Sequence, residues 1–458
     1  MSFDTQIDNY LKIIKEKYTN ELMDLVAIPS ISCKSDHQVH LDAIAKKASD
    51  MLTEIGFESQ VIETKGGPCV LGKLHSDKNA PWVTVYNHMD VQPADEDAWI
   101  NDPFVPILKD DVVLGRGSTD DKGPALSIMH AIKFLKENNH KLPNIQVIYE
   151  TEEEIGSTHF HEFMMENKDI IEDSASVLIS DTIFEGDNPA ITYKLKGMQR
   201  IDISLKTGTK DLHSGIFGNG IQNPLTVLTN ALASCVNAKG EVLVDGFYEN
   251  TKVMGEQELV ELQKVADVFD IEKFKRDSAN GSLNFDDPKD ILLGIWHKST
   301  FELHGFEGIQ TNPGEIKSAL PYNVIAKVSM RLIGGQDPKD IVEKVRKHVQ
   351  KIDPKIEVID RGGIRAVATE FDHPIMEVAK DACKYGFGSD ALFVGCGGSI
   401  GSIPVFQEVF EGAPIVLIAQ SLMSDGYHAP NEQFSIKQGL RGIKTMANYL
   451  TNLADFKS

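Results

Sequence analysis

At 458 residues the chain is about two to three times as long as a typical domain, which favours two domains, each with its own core. Hydrophobic residues make up 41% and charged residues 25%, the composition of a soluble globular protein. The chain has 46 Lys and Arg against 68 Asp and Glu, so its formal net charge is −22. This charge has the wrong sign for binding nucleic-acid phosphates and argues against a nucleic-acid partner.

The N-terminal residues and the cysteines indicate the compartment. Residues 1–10 are polar and acidic and lack the basic region and apolar stretch of a signal peptide. No later run approaches the roughly 18 apolar residues of a membrane span, so we expect a cytoplasmic protein with no membrane partner. The five cysteines are widely spaced, with no CxxC pair, which favours neither a disulfide framework nor a thiolate zinc site.

The first part of the chain alternates predicted helices and strands. Helical spacing of apolar residues predicts helices over residues 7–27, 39–55 and 124–137. Short β-rich apolar runs predict strands over residues 83–86, 112–114, 145–149 and 177–179. This βαβ order is typical of a mostly parallel sheet.

From about residue 193 the pattern changes. Residues 199–206 and 324–332 alternate apolar and polar side chains around a predicted helix at 224–234, which indicates an α+β module with a half-exposed antiparallel sheet. After residue 371 the α/β pattern returns, with the predicted elements 374–385 (helix), 403–406 (strand), 415–419 (strand) and 436–453 (helix). We therefore predict an α/β fold with a mostly parallel-sheet domain of residues 1–192 and 368–458. A smaller α+β domain of residues 193–367 is predicted to be inserted into it.

Four groups of His, Asp and Glu follow predicted strands, at residues 87–90 (NHMD), 118–123 (STDDKG), 150–156 (ETEEEIG) and 180–181 (SD). The carboxyl ends of strands in an open α/β sheet are where ligands bind, so these groups can converge on one crevice. Imidazole and carboxylates without thiolate suit divalent ions such as zinc or manganese. Taken singly, each group is more often a surface pair or an acidic helix start. Their joint placement favours a metal site.

These residues resemble the M20 metallopeptidases, and within them the branch of cytosolic nonspecific dipeptidases and carnosinases. The matching segments follow the family's order over nearly the whole chain: 88–93 (HMDVQP), 115–124 (GRGSTDDKGP), 153–157 (EEIGS), 210–215 (KDLHSG), 329–332 (SMRL), 397–400 (GGSI) and 425–432 (DGYHAPNE). The resemblance implies an exopeptidase that cleaves dipeptides or short peptides with two divalent ions, Zn²⁺ or Mn²⁺. Two such ions can share a water and lower its pKa, while a glutamate acts as general base.

Carried over position by position, the resemblance implies five metal ligands: His88 and Asp181 for one ion, Glu154 and His428 for the other, and Asp120 shared by both. Asp90 would orient His88, a role that carboxylates play at many metal-bound imidazoles. Glu153 would be the general base. The resemblance also implies a cis peptide bond between Asp120 and Asp121.

In the inserted domain, the resemblance implies a lid and dimerisation module of a homodimer. His213 would stabilise the oxyanion, in the active site of the other subunit. Arg331 and Ser399 would hold the substrate carboxylate, which a planar guanidinium suits. Ser318 stands where the dipeptidase branch has a threonine near the substrate. The serine has the hydroxyl of that threonine but lacks its methyl group. Without the resemblance, His213 in its turn and Arg331 on its strand would more often be structural.

Three rival interpretations stay open. The G-x-S-x-G pattern around Ser399, followed by Asp425 and His428, fits the order of an α/β-hydrolase triad, although the predicted strand at 403–406 stands where such a motif needs a helix. Within the M20 family, deacylases of N-acyl amino acids, such as desuccinylases and aminoacylases, share the metal site and differ mainly in the pocket. A non-enzymatic binding protein on the same scaffold would be expected to lack a ligand or the base, yet all are present.

Overall fold

The computed structural model describes residues 1–94, 96–309, 314, 318–454 and 456. The chain divides into two compact units, the first formed by Met1–Tyr193, Thr369–Val394 and Ile400–Ser458 and the second by Lys194–Ala368 and Gly395–Ser399. The predicted domain boundaries at 192/193 and 367/368 each lie one residue before an observed boundary between the units, at 193/194 and 368/369. The assignment of 395–399 to the first domain was wrong. This segment belongs to the second unit because its Cys396 carbonyl accepts a hydrogen bond from Lys196 and its Ser399 hydroxyl contacts Arg331.

The first part of the chain alternates helices and strands as predicted. Its elements are α1 (Phe3–Val26), α2 (Gln38–Ile55), β1 (Glu58–Ile62), β2 (Cys69–Leu74), β3 (Trp82–His88), β4 (Ile107–Lys109), β5 (Val112–Leu114), α3 (Gly123–Glu137), β6 (Asn144–Glu150), α4 (Phe160–Glu166), β7 (Ser176–Ile179) and β8 (Ala190–Leu195). The three predicted helices and four predicted strands of this part are all present.

The middle of the chain forms the second unit, whose elements are β9 (Gly197–Lys206), β10 (Leu212–His213), α5 (Ser214–Phe217), α6 (Pro224–Cys235), α7 (Glu256–Ala266), α8 (Ile271–Asp277), α9 (Pro288–His297), β11 (Glu302–Glu307), β12 (Ala319–Leu320), β13 (Asn323–Leu332), α10 (Pro338–Gln350), β14 (Glu357–Ile364) and β15 (Val367–Ala368). An antiparallel sheet runs in the order β11-β13-β9-β14. Residues along β13 alternate between buried and partly exposed, and α6 and α10 pack against the sheet. This confirms the predicted half-exposed antiparallel sheet.

The last part of the chain contributes α11 (Pro374–Phe387), β16 (Leu392–Cys396), α12 (Ile403–Val409), β17 (Ile415–Ile418), β18 (Gln433–Ser435) and α13 (Ile436–Leu453). The predicted strand at 403–406 was wrong, because α12 begins there. Pro404 occupies its first turn, where a missing N–H costs no helical hydrogen bond, and Phe406 is fully buried. No helix in the described part of the chain is long and apolar enough to cross a membrane.

The large sheet of the first unit brings the acidic loops together. Its strands follow the order β1-β2-β6-β3-β7-β17-β8, with β6, β3, β7 and β17 parallel and the flanking pairs antiparallel. The sheet is therefore mixed, and the predicted parallel pairing is confined to its middle, where the parallel strands are almost entirely buried. Because β3, β6 and β7 run in the same direction, the residues after His88, Glu150 and Ile179 lie at one edge.

Candidate active site

Two groups of ligand-type side chains meet at this edge of the first unit. The first group consists of His88 at the end of β3, Asp181 after β7, and Asp120 in the turn after β5. His88 Nε2 lies 2.9 Å from Asp120 Oδ1 and 3.9 Å from Asp181 Oδ2. One nitrogen and two carboxylate oxygens thus converge within the span that the ligands of one ion occupy.

Asp120 also belongs to the second group, with Glu154 and His428. His428 Nε2 lies 3.0 Å from Asp120 Oδ2 and 3.2 Å from Glu154 Oε2. The Asp120 carboxylate therefore presents one oxygen to His88 and the other to His428. The peptide bond between Asp120 and Asp121 is cis, which confirms that prediction. The structure places Asp120 where a carboxylate shared by two ions would stand.

Carboxylates outnumber imidazoles in and around these two groups. Burial, together with nearby carboxylates, raises the pKa of Asp181 and of Glu153 well above the ordinary range. Hydrogen bonds with Asp120 and Glu154 raise the pKa of His428 to about 10, against the effect of burial. Burial lowers the pKa of His88, but its carboxylate partners outweigh this effect and raise the value. So many buried carboxylates around two imidazoles fit bound divalent cations, and the oxygen and nitrogen donors suit zinc or manganese.

Asp90 connects the His88 strand with the two adjacent glutamates. His88 Nδ1 lies 3.0 Å from the Asp90 backbone carbonyl oxygen and 3.5 Å from its carboxylate. The carboxylate itself accepts hydrogen bonds from the backbone N–H groups of Glu153, at 3.2 Å, and Glu154, at 3.0 Å. The backbone of Asp90 therefore makes the closer contact with His88, and its side chain fixes the start of the glutamate turn.

Glu432 fixes the turn that carries Asp120. The side chain is fully buried, and its Oε2 accepts hydrogen bonds from Arg116 Nη1 and the Gly117 N–H, both at 2.9 Å. Its Oε1 accepts from the N–H groups of Thr119, at 2.9 Å, and Asp120, at 3.1 Å. One carboxylate thus ties the segment that contains His428 to the backbone N–H groups of Asp120 and of the residues just before it.

The remaining predicted site residues lie in the second unit, in two pairs. Arg331 Nη1, on β13, donates to Ser399 Oγ at 3.1 Å, and Ser399 Oγ donates to the Lys196 carbonyl. His213 lies in the short pair β10 and β12, and its Nδ1 accepts a hydrogen bond from the Gly215 N–H at 3.0 Å. The Ser318 carbonyl accepts the N–H of the residue after His213, which places Ser318 beside the His213 turn.

Comparison with known proteins assigns the family. Residues 84–452 match the sequence profile of peptidase family M20/M25/M40. The chain belongs to this family. The resemblance seen in its sequence is confirmed, and the named dipeptidases among its relatives assign it to the hydrolases that act on peptide bonds.

This M20 peptidase is similar to dipeptidases and a carboxypeptidase over nearly its whole length. The human Beta-Ala-His dipeptidase is 28% identical in an alignment 474 positions long, which covers 98% of this chain and 92% of the relative. The Cys-Gly metallodipeptidase DUG1 of Saccharomyces cerevisiae is 29% identical in an alignment 475 positions long, which covers 97% of each chain. The solved M20 metallo-carboxypeptidase Sso-CP2 from Sulfolobus solfataricus has a TM-score of 0.88 and 26% identity, covering 96% of this chain and 99% of its own. Both relatives named first fit the dipeptidase branch of the family.

The surroundings of Ser399 do not support a serine nucleophile in this M20 peptidase. Its hydroxyl donates to a backbone carbonyl and accepts from Arg331. A catalytic triad would also need Asp425 and His428, but both have other partners. The Asp425 carboxylate accepts hydrogen bonds from Thr119 Oγ1 and a backbone N–H, and His428 lies against Asp120 and Glu154. Although α12 does follow Ser399 as such a motif requires, the three side chains have other roles.

Sequence reasoning missed three polar residues that hold the site of this M20 peptidase together. Gln92 contacts Glu154, Asn87 Nδ2 donates to Asp121 at 2.6 Å, and Glu432 binds the Asp120 turn. Gln92 and Glu432 both lie inside the family-like segments 88–93 and 425–432. Their position in those segments was a signal, since polar residues beside metal ligands often support them.

Proposed function

We propose that this M20 peptidase is a two-metal dipeptidase that cleaves the amide bond of dipeptides or similarly short peptides. The observation that carries the proposal is the Asp120 carboxylate, whose two oxygens face His88 and His428 separately at 2.9 and 3.0 Å. A site for a single metal ion would use only one of the two ligand groups that share Asp120. The similarity to two dipeptidases over nearly the whole chain supports the substrate class.

The proposed ligands are His88 and Asp181 for one ion, Glu154 and His428 for the other, and Asp120 for both. Two divalent ions there, zinc or manganese, would polarise the scissile carbonyl and lower the pKa of the attacking water. The chain's own contribution is to hold five donors in place. The hydrogen bonds that the Asp90 and Glu432 carboxylates accept from the backbone supply that rigidity.

Glu153 is the proposed general base. Its backbone N–H is fixed by the Asp90 carboxylate, and its charged neighbours are His88, Asp181, Glu154 and Asp90. A carboxylate whose pKa is raised by burial accepts a proton more readily near neutral pH than an exposed one. Glu153 would take a proton from the water molecule as the water oxygen attacks the carbonyl carbon. It would then deliver that proton to the leaving amine nitrogen as the C–N bond breaks.

The second unit supplies the proposed substrate contacts. A guanidinium has five donors in a fixed fork, and the contact with Ser399 Oγ uses one and sets the orientation of Arg331. We propose that this pair binds the free carboxylate of the substrate. His213 would donate a hydrogen bond to the developing oxyanion in the partner subunit of a homodimer, and Ser318 beside its turn would line the substrate site.

A substrate panel tests this proposal against N-acyl amino acid deacylation. We expect free dipeptides to be hydrolysed faster than N-acyl amino acids, and faster than the same dipeptides with an amidated carboxyl terminus. Arg331→Met should lower kcat/KM for free dipeptides by roughly 10- to 100-fold, the equivalent of losing one hydrogen bond to a charged group. Arg200→Met, an exposed arginine on β9, is the matched control and should change little. A preference for N-acyl amino acids would assign the chain to the deacylases.

The adjacent glutamates should separate by role. Glu153→Gln should abolish turnover while leaving two ions bound, because the amide cannot accept the proton but lies outside both ligand groups. Glu154→Gln should lower the metal content, because it removes a ligand oxygen. Elemental analysis and turnover measured on the same samples give both results. Loss of metal from Glu153→Gln with retention of two ions in Glu154→Gln would show the roles to be reversed.

A further inference from the structure

The two adjacent glutamates differ in how their side chains are held. Glu154 Oε2 accepts a hydrogen bond from Gln92 Nε2 at 2.7 Å, and Glu154 Oε1 accepts from the Gln92 backbone N–H at 3.1 Å. The same Gln92 Nε2 lies 3.4 Å from the Glu154 carbonyl oxygen. Among the residues that the structure describes, the Glu153 carboxyl receives no comparable hydrogen bond. Gln92 thus donates a hydrogen bond to each carboxylate oxygen of Glu154 and to neither carboxyl oxygen of Glu153.

Gln92 itself lies on a fixed piece of backbone. The preceding residue, Val91, is buried, pairs with Ile31 in a parallel bridge, and donates its N–H to the Ser30 carbonyl at 2.9 Å. The following residue is Pro93, which restricts Gln92 to extended conformations. The Gln92 side chain therefore starts from a defined position in the segment after β3 and reaches one partner, Glu154.

We propose that Gln92 is a positioning residue that selects Glu154, and not Glu153, as the ligand of the second metal group. The Glu154 carboxylate, with 4% of its side chain exposed, has Oε2 directed at His428 at 3.2 Å while Gln92 holds that same oxygen. Without this hold, either glutamate of the turn could rotate toward the ion. Gln92 thereby keeps Glu153 available as the base. The inference rests on the proposed two-metal function.

The test is the affinity for each ion, measured with Mn²⁺ over a graded series of free-metal buffers. Gln92→Met keeps the length of the side chain and removes the donor. Outer partners of metal ligands typically contribute about 10- to 100-fold in affinity, so the second Mn²⁺ should bind 10- to 100-fold more weakly while the first binds as in the wild type. Saturating Mn²⁺ should restore turnover, because Gln92 acts through metal binding.

Gln38→Met is the matched control, since Gln38 Nε2 also donates to a carboxylate, Asp42, at 3.0 Å, but on the exposed surface of α2. It should leave both affinities unchanged. The double variant Gln92→Met with Glu154→Gln should bind the second ion no more weakly than Glu154→Gln alone, because the glutamine acts only through that ligand.

Three results would overturn the proposal: wild-type affinity for both ions in Gln92→Met, an equal loss at both, or additive losses in the double variant. If the wild-type chain binds fewer than two Mn²⁺ ions, the proposed function fails first, and this inference fails with it. The two failures are therefore distinguishable from the wild-type titration.

Discussion

Burial raises the pKa of the Glu432 carboxyl to about 7, so at pH 8 the Glu432→Gln substitution removes a buried negative charge beside the Asp120 turn and leaves the side-chain volume almost unchanged. In the wild-type chain the two carboxylate oxygens accept four hydrogen bonds, from the Arg116 side chain and from the N–H groups of Gly117, Thr119 and Asp120. The glutamine amide keeps one oxygen, so its NH₂ group must face two of these donors. Both donors then remain buried without an acceptor.

The expected loss of stability follows from these contacts. A buried donor without a partner costs about 1–3 kcal/mol. Breaking a buried ion pair by removing one partner costs about 3–5 kcal/mol, and Arg116 is only 3% exposed. The two costs overlap, because Arg116 is one of the four donors. We therefore expect the free energy of unfolding to fall by about 3–5 kcal/mol in total.

Urea unfolding followed by tryptophan fluorescence measures this loss, because the Arg116 guanidinium lies 5.3 Å from the Trp99 ring. Glu150→Gln is the matched control. Glu150 is 1% exposed, but its carboxyl accepts from two hydroxyl groups, which can rotate and adapt to an amide. The amide can keep an acceptor oxygen for both hydroxyl groups and carries no charge to bury, so Glu150→Gln should not lower the free energy of unfolding near neutral pH. If Glu432→Gln costs no more than Glu150→Gln, the four hydrogen bonds do not hold the Asp120 turn.

Two further predictions concern pH and assembly. Burial raises the pKa of the Glu150 carboxyl from 4.5 to about 8, so between these values the folded chain keeps a proton that the unfolded chain has lost. This group should make the free energy of unfolding fall by up to about 1.4 kcal/mol per pH unit as pH rises through that window. In urea unfolding, Glu150→Gln should reduce this dependence of the free energy of unfolding on pH. An unchanged dependence would contradict the assignment to Glu150. For assembly, co-expressed His213→Ala and Glu153→Gln chains should recover roughly a quarter of wild-type activity, because half of randomly paired dimers are mixed and each has one intact site. Verified mixed dimers without activity would show that His213 does not act in the partner subunit.

The elements and the convergence of ligand-type side chains could be predicted because their signals are local. The strand ending at His88 is a short apolar run, and the polar residues directly after it can only lie at its carboxyl end. The same holds for Asp181 after β7. That Asp120 faces both histidines could be expected only from the family resemblance, because it depends on where the turn after β5 and the segment around His428 meet in space.

The errors came from tertiary contacts that local patterns do not encode. Residues 403–406 are a short apolar run, and such runs do not distinguish a strand from a buried helix. Residues 395–399 are flanked by first-unit segments, but hydrogen bonds with Lys196 and Arg331 place them in the second unit. The homodimer and the cytoplasmic location stay predictions from the sequence.

The most direct test of a two-metal mechanism is to titrate the metal-free chain with Mn²⁺ while measuring hydrolysis of a free dipeptide and bound metal in the same samples. The shared Asp120 carboxylate predicts no turnover without metal and activity that rises mainly as the second equivalent binds. Chelation should abolish this activity, and added Mn²⁺ should restore it. Hydrolysis that survives thorough chelation, or that is complete with one bound ion, would contradict the two-metal site.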